Sequence, residues 1–136
     1  MAVYIKHNNS LTPVEVRVDV GTSDDAMRVL QKLLDSKTIK IEDYKMAYLF
    51  FDVSHVPSND PAKDEHYPLH LSGSNTKLLV SGMTAGISAV DSTGTLEILK
   101  LMGFSYTAEQ EKTITQDTYD ANGKRVEQIT LHFDRV

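Results

Sequence analysis

Three histidines fall close together in the chain: His55 in DVSH, three residues after Asp52, and His66 and His70 in DEHYPLH. Imidazoles and carboxylates at this density suit a divalent ion such as zinc, or a general base oriented by Asp52. His66 and His70 have the spacing of one helical face, but Pro68 lies between them and argues against a regular helix. Solvated histidines on a loop would give the same pattern. The expectation is therefore no metal and no other cofactor, with His55, His66, His70 and Asp52 the residues that would carry catalysis or ligation if either occurs.

A second kind of chemistry is written into SGMTAGISAVDSTGT, from Ser81 to Thr95. Glycines let a ligand approach the backbone closely, and amides ahead of a helix attract anions. Ser81, Gly82, Thr84, Gly86, Ser92, Thr93 and Gly94 would be the ligand contacts. Against a phosphate, no Lys or Arg lies between Ser81 and Lys100, Asp91 would repel an anion, and the Walker and dinucleotide glycine patterns are absent. Two readings stay open, a cradle for a small polar ligand or peptide and a connection that simply packs tightly.

Other catalytic patterns fail on spacing. No Gly-x-Ser-x-Gly elbow occurs. In DTYDANGKR, Gly123 at the sixth position of a calcium loop would put Thr118 first, where an acid is required.

The elements that must position these residues follow from periodicity. PVEVRVDV (Pro13–Val20) alternates valine with charge and reads as a half-exposed strand. Thr22 can cap a helix running through DDAMRVLQKLLDS, with Asp24 and Asp25 in its first turn and Ala26, Leu30, Leu33 and Leu34 facing a core. KMAYLFFDVSHV (Lys45–Val56) is apolar on both parities, a strand covered on both faces or with one face at an interface; Tyr44, Met46, Tyr48, Phe50 and Phe51 would form that surface. Pro57–Ser74 reads as a long loop with a short extended piece near Leu69–Leu71. Lys77–Ser81 reads as a short buried strand and Thr95–Met102 as a buried second helix stopped by Gly103. Asn122-Gly123 marks a C-terminal hairpin between KTITQDTYD and KRVEQITLHFDRV.

The chain has 136 residues, 40% hydrophobic and 24% charged, with a formal charge of −5 and no Cys. Disulfides and thiolate chemistry are thereby excluded. The basic residues are scattered, so no nucleic-acid partner is expected, and no apolar run is long enough for a membrane span. MAVYIKHNNS lacks the basic region and apolar core of a signal peptide, which points to the cytoplasm.

The expected fold is a single α+β domain over 1–136, a mainly antiparallel sheet of five or six strands packed on two helices and ending in the hairpin. The leading functional expectation is a non-catalytic cytoplasmic binding module for a partner protein or small polar ligand, its site formed by the Gly82–Gly94 connection and the Pro57–Ser74 loop. One alternative is a small metal-assisted or hydrolytic enzyme using the histidine group. Another is a structural or phage-type assembly protein, and an exposed strand would also serve a homodimer.

Overall fold

A computed structural model of the protein describes residues 2–7, 13–52 and 58–135. Six strands, β1 (Ala2–His7), β2 (Pro13–Asp19), β3 (Met46–Asp52), β4 (Leu69–Ser72), β5 (Lys77–Val80) and β6 (Gln128–Asp134), form one sheet in the order β1-β2-β5-β4-β3-β6. β2 and β5 are parallel, and every other neighbouring pair is antiparallel. The fold is α+β.

Alternation decides which face of the sheet is buried. Val16, Val18, Ala47, Leu49, Leu69, Leu71, Leu78, Val80, Ile129 and Phe133 point to one side and join a single core with the helices. On that side lie α1 (Ser23–Asp35) and α2 (Val90–Leu101), through Ala26, Leu30, Leu96, Ile98 and Leu99. Thr22 caps α1 by accepting the Asp25 N–H at 3.2 Å, with Asp24 and Asp25 in the first turn as the sequence implies.

Three expectations need correction. The described residues form three α-helices, not two: α3 (Ala108–Thr115) takes residues read as the first hairpin strand. Thr107 and Gln110 make a reciprocal capping box that starts it. The hydroxyls of Thr113 and Thr115 then bond the Glu109 and Glu111 carbonyls at 2.9 and 2.8 Å, so the β-prone TIT stretch is satisfied as helix. The hairpin shrinks accordingly. Gly123 (φ +77°) does make the Asp120–Lys124 turn, but only a Tyr119–Arg125 bridge flanks it, and β6 pairs with β3 instead. Finally, α2 begins at Val90 rather than Thr95, which puts Gly94 inside a helix.

On β3 the inner residues Ala47 and Leu49 are buried, whereas Met46 and Phe50 on the other side are 58% and 41% exposed. Tyr44 is core, and Phe51 packs against it from a half-buried position. The described residues therefore cover only one face of β3. No helix among them is long and apolar enough to cross a membrane.

Candidate functional site

The Ser81–Thr95 segment is assembled by its own polar groups. The Ser81 hydroxyl accepts the Val20 N–H at 2.9 Å and lies 2.9 Å from the Val20 carbonyl, so it ties the end of β5 to the end of β2. Gly82, at φ +91°, turns the chain so close to α1 that a Cβ there would lie 2.7 Å from the Thr22 carbonyl oxygen. The Thr84 and Ser92 hydroxyls bond each other at 2.6 Å, and the Gly86 N–H (φ +77°) donates to the Ile114 carbonyl at 2.9 Å. Gly94 is buried against Ser23 of α1, and of the seven expected contact residues only Thr93 is exposed.

Asp91 serves a helix. One carboxylate oxygen accepts both the backbone N–H and the hydroxyl of Ser23, each at 2.9 Å. An acid at the start of α2 thus satisfies an orphan donor at the start of α1, and its charge suits the positive end of that helix.

The histidine group divides. His55 lies outside the described residues. Asp52 accepts the Gln128 side-chain amide at 3.3 Å. His70 points Nε2 at the Tyr67 and Asp64 carbonyls, 2.9 and 3.2 Å away, and meets Tyr48 edge-on. His66 places Nε2 2.7 Å from Asp19 Oδ1 and Nδ1 2.6 Å from the Ser58 carbonyl. Among the described residues no three His, Cys, Asp or Glu side chains come together as a metal site.

A different constellation stands on the face of the sheet away from the helices. One residue of every strand forms a row across it, in the order Tyr4, Arg17, Leu79, His70, Tyr48, His132. Residues 58–68 fold over the middle of this row, with a 3-10 turn at Asp64–His66, and Leu79 of the sheet and Tyr67 of the loop are both buried there. The Tyr67 hydroxyl donates to the Pro61 carbonyl at 2.6 Å, and the Arg17 guanidinium stacks 5.5 Å from the Tyr67 ring centre.

Beside that ring four charges close a circuit. Arg17 contacts Glu15 at 2.8 Å and Asp64 at 2.7 Å, while Lys77 contacts the same two carboxylates at 3.1 and 3.2 Å. The Arg17 hydrogen bond chiefly holds the Glu15 carboxyl below its usual range. Burial pushes Asp64 up, but its bonds to Arg17 and Lys77 outweigh this and leave it lowered. For His66 burial disfavours the charged ring, yet Asp19 and the Ser58 carbonyl prevail and raise its pKa. With an acceptor at each ring nitrogen, both bonds form only when the ring carries two protons.

Where this loop stops short of the sheet's edge, a cleft of about 370 Å³ opens. Its walls are Tyr4 to Lys6, Glu15 and Arg17 on the strands and Asp60 to Ala62 on the loop. Lys6 makes no ion pair among the described residues, and the Tyr4 ring is 46% exposed. Neither residue stands out in the sequence. The clue was the charged parity of β2, which a loop carrying Asp64 and Tyr67 had to cover.

No protein-family model matches the chain, and no curated protein or solved structure matches it either.

Proposed function

We propose that the protein is a non-catalytic binding module whose site is the cleft between the outer face of β1–β2 and Asp60–Ala62. The ligand class is a small molecule with a flat or apolar part for Tyr4 and Pro61 and an acidic group for Lys6. One observation carries the reading: the cleft's cation at position 6 lacks an ion pair among the described residues, while Arg17 and Lys77 are each held by two carboxylates. Groups already paired in this way frame a ligand better than they transfer protons, and both nitrogens of His66 are engaged. In this reading Asp60 to Ala62 of the loop line the site and the Gly82–Gly94 connection contributes no residue to it.

Native mass spectrometry of freshly purified protein looks for a retained ligand. Ligand-observed NMR with benzoate, and then larger aromatic carboxylates, asks for saturable binding. Lys6→Glu and Tyr4→Ala should each abolish that binding without lowering the melting temperature. If no molecule co-purifies and no carboxylate binds, the cleft is not a site.

A further inference from the structure

β1 is an edge strand, and no other strand of the described residues pairs with its outer side. Its three central residues, Val3, Tyr4 and Ile5, are 38%, 46% and 42% exposed. Natural edges are blunted by proline, bulges and charge, because an open row of amides and carbonyls recruits another strand. In β1 such features fall only at the C-terminal end, as Lys6 and the register shift between Lys6 and His7. From Ala2 to Ile5 the edge is regular and uncharged.

We infer that β1 pairs antiparallel with β1 of a second copy of this chain, joining the two sheets edge to edge. The strand's own sequence argues for that occupant. A two-fold axis perpendicular to the sheet at Tyr4 sets Val3 opposite Ile5 of the second copy, apolar against apolar on the helix side. The same register sets Ala2 opposite Lys6 and the two Tyr4 rings side by side on the outer face. Lys6 and His7 then lie at opposite ends of the pairing, so no like charges meet, whereas parallel pairing would oppose Lys6 to Lys6. The axis also keeps both helical layers on one side of the joined sheet. The inference does not rest on a ligand in the cleft, although Tyr4 both walls the cleft and lies at the axis.

Sedimentation velocity over the full soluble concentration range tests the association. A monomer–dimer equilibrium is expected, and Val3→Lys with Ile5→Lys should weaken it about tenfold or more, since two like-charged pairs would then face each other. Both positions are exposed in the single chain, so its melting temperature should hold. The chain has no Cys, so Tyr4→Cys gives an unambiguous second readout. Opposed residues of an antiparallel pair lie within disulfide reach, and mild oxidation should yield a covalent dimer. A chain that stays monomeric throughout and does not cross-link overturns the inference, as does a dimer that the lysine pair leaves intact.

Discussion

His66 bridges two elements that are distant in sequence, with Nε2 2.7 Å from Asp19 Oδ1 at the end of β2 and Nδ1 2.6 Å from the Ser58 carbonyl at the start of the covering loop. The ring therefore anchors residues 58–68 to the sheet, and the anchor is complete only in the imidazolium form. Its pKa is raised in the folded protein, so the sign of the pH effect is fixed. The added stability is fully present below the unfolded value of about 6.5 and is lost as pH rises through the higher folded value. Denaturant melts of wild type and His66→Gln should differ by about 1–2 kcal/mol near pH 6, an amount set by charge-assisted hydrogen bonds in a partly exposed site. The gap should narrow in alkaline buffer. A gap that is constant or widens with pH would show that the ring acts as neutral packing.

Arg17 governs the acid side. It is the guanidinium shared by Glu15 and Asp64, with 12% of its side chain exposed. Arg17→Met preserves the stem over Tyr67 but leaves both carboxylates to Lys77, and should cost about 2 kcal/mol at pH 7. Both carboxyls have lowered folded pKa values. Their contribution is present above the unfolded values near ~4 and disappears as pH falls through the folded ones. Wild type should therefore lose stability below about pH 4 more steeply than Arg17→Met. Parallel acid limbs in the two proteins would refute the role given to this arginine.

What the sequence disclosed was what acts locally. The valines of β2 and the Thr22 cap of α1 are decided within a few residues, and both can be read by eye. In α3, TIT favours strand by composition, while the Thr107–Gln110 box that fixes the helix lies upstream and carries no apolar periodicity. The start of α2 was hidden for a related reason. Ser92, Gly94 and Thr95 look like loop residues until Ser23 and Thr84 arrive from elsewhere in the fold. The cleft was least legible of all, since it needs β1, β2 and residues 60–62 together. Histidine density was visible, but the partners chosen by His66 are set by how the loop folds over the sheet.

Gly94 separates a packing role from a ligand role most cleanly. A Cβ at this position would lie 2.0 Å from Ser23 Oγ and 2.4 Å from Ser23 Cβ, in the contact between α2 and α1. Rotating the Ser23 hydroxyl away would break its bond to Asp91 and would still leave the Ser23 Cβ in place. Alanine in place of glycine ordinarily favours a helix by about 1 kcal/mol. Overpacking of about 1–3 kcal/mol should prevail here, so Gly94→Ala is expected to melt earlier than wild type. Thr93→Ala, on the exposed side of the same turn, should stay within about 0.5 kcal/mol of wild type. Adding Ser23→Gly to Gly94→Ala removes both clashing atoms, and a double-mutant cycle should then return a coupling above about 1 kcal/mol. If Gly94→Ala instead equals or exceeds wild type in stability, the two helices do not meet through this glycine, and the segment from Ser81 to Thr95 has freedom to receive a ligand after all.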